Sequence, residues 1–100
     1  MSTKVSKLPL TGIKVIEVGQ LLAGPFAGTL LAYFGADVIK VEPPKTGDPI
    51  RKWRLLDKQG TSFWWYSLGR NKRYVTAKLR DHAGRTLLKT LISGADVLIE

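Results

Sequence analysis

GIKVIEVGQLLAGPFAGTLLAYFGADVIKVE, residues 12–42, reads as strand, turn, helix and strand with punctuation at every junction. The β-branched run from Ile13 to Val18, closed by Gly19, has the form of a strand buried in a parallel sheet. Pro25 suits the first turn of a helix, where backbone N–H groups lack intrahelical partners in any case. Phe26, Leu30 and Phe34 recur at four-residue spacing beside Ala27 and Leu31, which predicts an apolar stripe laid on the sheet. Gly35 stops the helix, Ala36 to Glu42 forms a second strand, and Pro43-Pro44 cannot continue its ladder. Parallel strands joined this way need a crossover, almost always right-handed. The turn from Gly19 to Pro25 therefore falls at the carboxyl end of the first strand, where open α/β sheets bind ligands.

Working outward, residues 1–11 form a polar lead-in whose Leu8, Pro9 and Leu10 are expected against the edge of the first strand. After Pro44, the Gly and Pro spacing of Gly47-Asp48-Pro49-Ile50-Arg51 marks a loop. Arg51, Lys52, Arg54 and Lys58 surround Trp53 in a basic, aromatic connection that reads as a solvated loop. Phe63-Trp64-Trp65-Tyr66 is too aromatic for a freely exposed loop and predicts a short helix over Ser62 to Leu68 that buries at least two rings. Gly69 to Arg73 reads as a basic turn and Tyr74 to Leu79 as a third strand. Asp81 is placed to cap a helix carrying Leu87, Leu88, Leu91 and Ile92, ended by Gly94, with a fourth strand from Ala95 to Glu100. Gly35-Ala36-Asp37-Val38-Ile39 and Gly94-Ala95-Asp96-Val97-Leu98 are near copies, each closing a helix and opening a strand. Two such βαβ units imply an α/β fold with a Rossmann-like, doubly wound parallel sheet.

One hundred residues, 44% hydrophobic, suffice for one small α/β domain with a modest core. No apolar run approaches the roughly 20 residues of a spanning helix, so no membrane partner is expected. Met1 to Lys7 lacks the apolar stretch of a signal peptide, and without cysteines neither disulfides nor thiolate metal sites can form. The net charge of +8 admits three readings: a nucleic-acid module gathering phosphates, a site for a phosphate-bearing cofactor, or a basic segment balanced by acidic sequence elsewhere. Because Val97 to Glu100 reads as the middle of a buried strand, the chain is expected to be an N-terminal segment, with 12–100 a partial domain.

Most catalytic constellations are absent. His82 stands alone beside Asp81 as a surface residue, Ser67 and Ser93 lie in no nucleophile elbow, and no acidic or histidine cluster has metal spacing. Gly19, Gly24 and Gly28 do not spell the dinucleotide fingerprint. Phosphate handling survives. Arg70, Lys72, Arg73, Lys78 and Arg80 crowd one turn and strand, too many for a sheet position unless some face an anion. The helix start behind Ala23-Gly24-Pro25 adds positive potential, with Gly24 permitting close backbone approach.

Taken together, Gly12 to Ile16, Leu22-Ala23-Gly24-Pro25-Phe26, Gly35 to Glu42, Gly47 to Arg51, Asn71-Lys72-Arg73 and Ala95 to Glu100 resemble the start of the class III CoA-transferases, the CaiB/BaiF type. The family includes formyl-CoA:oxalate, succinyl-CoA:dicarboxylate and carnitine CoA-transferases, with 2-methylacyl-CoA racemases as relatives. The resemblance implies a Rossmann-like large domain, a cytoplasmic interlocked homodimer, and acyl-CoA with a small carboxylic acid as substrates rather than any permanently bound cofactor. It implies covalent transfer through an aspartate that lies downstream of this segment, so no acidic residue here inherits that role. Leu22 and Ala23 match positions at the thioester end of CoA, and Ala77, Lys78, Leu79 and Arg80 match the segment against the adenine and ribose phosphates. Asn71, Lys72 and Arg73 match a motif for which ligand contact and holding of the turn both stand open. Two departures are specific: Leu22 replaces the Gln of oxalate-specific members, and Pro43 replaces an Arg that contacts phosphate. The long connection from Gly47 to Tyr66 favours a transferase over a racemase.

Overall fold

A computed structural model describes residues 7–100. Its elements are β1 (Lys14–Glu17), α1 (Ala23–Tyr33), β2 (Asp37–Glu42), a 3₁₀ turn (Pro49–Lys52), α2 (Phe63–Leu68), β3 (Lys72–Thr76), α3 (His82–Ser93) and β4 (Val97–Ile99). All strand pairs are parallel, in the order β3-β2-β1-β4. This is the inner order of a doubly wound sheet, reached by crossing one way through α1 and the other way through α3. The two repeats do the same work. Asp37 and Asp96 open their strands by donating backbone N–H bonds to Ile13 and Lys14, the residues at the head of β1.

The faces of the sheet are built differently. On the α3 face, Ile16, Val41 and Ala77 are buried beneath Leu88, Leu91 and Ile92. On the α1 face, Val15 and Val38 pack with Ala32 and Ala36, while Glu17, Lys40 and Glu42 are buried farther along the same strands and Lys72 is buried at the start of β3. Helix α1 ends in a Schellman motif: Gly35, at φ 103°, donates to Ala32 O and Ala36 donates to Leu31 O.

Several expectations are corrected. Phe26, Leu30 and Phe34 are 52%, 40% and 53% exposed, so they do not form the buried stripe. The buried side of α1 is Gly24, Pro25, Gly28, Thr29 and Ala32, because the charged side chains beneath it leave room only for small residues. A Cβ on Gly28 would run into Glu17 Oε1, a carboxylate oxygen held by Lys72, so this close approach favours glycine. The helix over Phe63–Leu68 exists, but only Leu68 is buried; Phe63, Trp64 and Tyr66 are exposed and Trp65 is half-buried. Strand β3 begins at Lys72, inside the segment read as a basic turn. Within the lead-in, residues 1–6 lie outside the described residues, Leu8 is exposed, and Leu10 packs on the α1-side core.

Candidate functional site

Beyond the carboxyl ends of β1, β2 and β3 lies a cleft of about 490 Å³. Val18 and Gln20 follow β1, Val41 to Lys45 end β2, and Ala77-Lys78-Leu79-Arg80 leave β3, so three strand ends supply the whole lining. Lys45, Lys78 and Arg80 are exposed there and have no carboxylate partner among the described residues. Glu42 is the sole acidic residue of the lining, and its carboxylate is taken by Arg51 in two contacts of 2.8 and 2.7 Å. Burial opposes ionisation of Glu42, but the Arg51 hydrogen bonds and the Asp48 N–H outweigh it and hold the carboxyl below its ordinary value. The cleft therefore presents net positive charge over an apolar floor, which suits a phosphate-bearing, partly apolar ligand.

At the turn into α1, Leu22 and Ala23 join Phe26, Trp64 and Leu68 around a purely apolar hollow of about 380 Å³. Leu22 caps α1 without a side-chain hydrogen bond. Here the chain turns sharply from β1 into α1, with Leu21 at φ 68°, a left-handed conformation costly for a non-glycine residue. Gly24 does approach another backbone closely, but that backbone is internal. A Cβ on Gly24 would lie 3.0 Å from Gly19 Cα.

Asn71, Lys72 and Arg73 are not brought to the cleft. Asn71 adopts φ 62° at the entry to β3 and its residue is exposed. Lys72, with no exposed side-chain surface, sits 2.7 Å from Glu17 Oε1 and donates to Pro25 O at 2.8 Å; burial holds its amine below the usual lysine range, against the pull of Glu17. Arg73 makes a bidentate pair with Asp37 on the surface. The anion that the crowded cations implied is thus partly internal. Arg70 stacks on Tyr33, Arg51 on Trp65 at 3.7 Å and Arg54 on Trp53 at 4.4 Å, so the aromatic connection spends its rings on its own arginines.

Residue-type reasoning missed the buried ions beneath the turn. Lys40 contacts Glu17 Oε2 at 2.7 Å and Asp48 Oδ2 at 2.6 Å, with all three side chains at most 2% exposed. Glu17 Oε1 and Asp48 Oδ2 meet their lysines off the hydrogen-bonding line, as ionic contacts. Burial would raise Asp48, but the N–H of Ile50, Lys40 and the N–H of Leu21 together hold it below its ordinary value. One signal was present in the sequence. Glu17 and Lys40 are charges of opposite sign that follow apolar residues in parallel strands, and they are register neighbours.

A parallel sheet in the order β3-β2-β1-β4 with helices on both faces defines a Rossmann-like α/β domain. Within that class, the sequence profile of CoA-transferase family III matches residues 10–100, and the chain belongs to that family. It is 47% identical over its full length to the succinyl-CoA–D-citramalate CoA-transferase of Chloroflexus aurantiacus, covering 25% of that protein. Identity to the succinate–glutarate CoA-transferase of Agrobacterium fabrum is 45%, over 94% of this chain and 25% of that one. The crystal structure of a CaiB/BaiF family protein from Brucella suis superposes with a TM-score of 0.83 at 39% identity, over 93% of this chain and 25% of that chain. The chain thus spans about a quarter of the length of the curated relatives it matches.

Proposed function

We propose that the protein is an acyl-CoA:carboxylate CoA-transferase and that the cleft at the strand ends receives the phosphate-bearing end of CoA. The observation that carries this reading is the convergence of Lys45, Lys78 and Arg80, each without a carboxylate partner among the described residues, on one cleft in a member of this family. Ala77 and Leu79 supply apolar surface between those cations, and Leu22 and Ala23, which line the apolar hollow at the α1 turn, are assigned to the thioester end. Asn71, Lys72 and Arg73, the remaining residues of the motif, are assigned to holding β3 and the α1 turn, supported by their internal partners. Residues 12–100 are part of the CoA-binding domain, and the interlocked homodimer and cytoplasmic location rest on the family resemblance.

Relatives named for succinyl-CoA with citramalate, malate or glutarate support a dicarboxylate acceptor and succinyl-CoA as donor. In the implied chemistry a nucleophilic aspartate, outside these residues, attacks the thioester carbonyl and expels CoA thiolate. The thiolate then attacks the aspartyl carbonyl of the resulting mixed anhydride, releasing the donor acid and leaving an aspartyl-CoA thioester. The acceptor carboxylate attacks that thioester and expels the thiolate, which finally attacks the acceptor's carbonyl in the second mixed anhydride and frees the aspartate. The experiment is to incubate the intact enzyme with succinyl-CoA and a panel of dicarboxylic acids. Formation of a new acyl-CoA with stoichiometric succinate supports the reading. Failure with every donor and acceptor, or α-proton exchange with solvent deuterium in the absence of any acceptor, overturns it.

A further inference from the structure

The Gly47-Asp48-Pro49-Ile50-Arg51 segment contributes only a short 3₁₀ turn to the fold, yet Asp48, which caps it, is a carboxylate that is 1% exposed. Placing such a charge in the interior costs several kcal/mol unless it is fully partnered, and apolar packing usually serves stability as well or better. Asp48 has two hydrogen bonds to one oxygen and an ionic contact to the other, and the identity of these partners is informative. Its Oδ1 accepts from Leu21 N and from Ile50 N, each at 2.9 Å, and its Oδ2 contacts Lys40 at 2.6 Å. Lys40 in turn donates to Gly19 O at 3.3 Å, and Lys72, across Glu17, donates to Pro25 O. Three polar bonds from buried charges thus land on one turn, at its first residue, its middle and its last.

That turn is the connection bearing Leu22 and Ala23. Leu21 is held at φ 68° against the ordinary preference of a leucine, and the bond to Asp48 is formed by the amide of that same residue. On its other side, Asp48 donates its own N–H to Glu42 Oε2 at 2.6 Å, and Glu42 lines the basic cleft. One buried residue therefore connects both compartments, the basic cleft and the apolar hollow.

We propose that Asp48 is a positioning residue: through Leu21 it sets the backbone at Leu22-Ala23 so that a thioester lying there is correctly aligned, without itself touching substrate. The inference rests on the transferase reading above. Its consequence is an asymmetric kinetic effect, since misalignment by about 1 Å lowers turnover by up to about 100-fold while phosphate contacts elsewhere still hold the ligand.

The test uses the intact enzyme with Asp48→Ala and Asp48→Asn. Asparagine keeps an acceptor for Leu21 and Ile50 but loses the charge facing Lys40. In Asp48→Ala, kcat is expected to fall about 10- to 100-fold with KM for the acyl-CoA changed by less than about 3-fold, and Asp48→Asn to recover most of that loss. Equal losses in kcat and KM, or Asp48→Asn as impaired as Asp48→Ala, would show a general structural or charge role and overturn the proposal. Should Asp48→Ala not fold, the asparagine variant decides alone: near-normal kcat supports positioning by the acceptor, and loss of turnover contradicts it. Amide hydrogen exchange separates this inference from the transferase reading. In Asp48→Ala, faster exchange at Leu21 with unchanged protection in β1 and β2 supports the hold of Asp48 on the turn even in a protein that transfers no CoA, and unchanged Leu21 protection sinks it.

Discussion

The two faces of one sheet obey opposite rules. Beneath α3, Ile16, Val41 and Ala77 meet Leu88, Leu91 and Ile92, and side-chain volume decides the fit. Beneath α1, the same strands begin apolar with Val15 and Val38 and become ionic toward their carboxyl ends with Glu17, Lys40 and Glu42. Nothing in packing density requires that change, because an apolar interior is ordinarily at least as stable as a buried ion pair. What differs is the neighbour. The α3 face has only a helix to hold, whereas the ionic half of the α1 face lies under the turn from Gly19 to Pro25 and holds its backbone polar groups. Directional bonds fix a turn; apolar contacts do not.

The contrast breaks most visibly at Lys40. Lys40→Ala leaves Glu17 and Asp48 short of a shared cation and is expected to cost about 3–5 kcal/mol in a chemical unfolding experiment. A loss near that of a conservative apolar truncation would mean that the cluster is not a network. Gly28→Ala attacks the same place sterically, driving a methyl into Glu17, and is expected to lower stability by about 1–3 kcal/mol, the usual cost of overpacking. On the opposite face Ile16→Val should cost only about 0.5–1.5 kcal/mol.

Removing Glu17 and Lys72 together sharpens the comparison, since Lys40 and Asp48 remain as a neutral pair. Glu17→Met with Lys72→Met should destabilise less than Glu17→Met alone; an additive double variant would deny the coupling. Acid provides the mildest probe. Glu42 and Asp48 are held below their ordinary values of 4.5 and 3.8, so the unfolded chain takes up protons first as the pH falls. The stability they lend is complete above those values and is lost as the pH drops through the lower folded ones. Unfolding midpoints measured from pH 6 to pH 2 should therefore decline, less steeply in Glu42→Gln. A flat profile would remove both carboxylates from the stability of the α1 face.

The sequence made the apolar architecture legible and left the ionic one obscure. Strands at Val15, Val38, Val75 and Val97, the glycines that end α1 and α3, and the Asp37 and Asp96 repeats all follow from local periodicity and turn chemistry. Phe26, Leu30 and Phe34 misled because helical spacing reveals that a face is apolar, without revealing what lies opposite it. The partners of α1 are charged residues brought from three strands and a loop, and only their spatial meeting selects Gly28 and Thr29 over phenylalanine for the buried side. Lys72 shows the same limit. In sequence it belongs to a basic turn with Arg70 and Arg73, and in space it belongs to Glu17. Ala77 to Arg80, expected from the resemblance to lie against CoA phosphates, leave β3 together and line the cleft, whereas Lys45 gave no local signal because its place depends on how the chain leaves β2.

The most direct measurement is calorimetric titration of the intact protein with CoA, comparing the natural sequence with Lys78→Ala, Arg80→Ala and the double variant. Each cation in contact with a phosphate should contribute about 1–3 kcal/mol, so binding is predicted to weaken at each step and most in the double variant. Absence of CoA binding by the natural protein, or affinity unchanged in all three variants, would contradict the assignment of the strand-end cleft to coenzyme A.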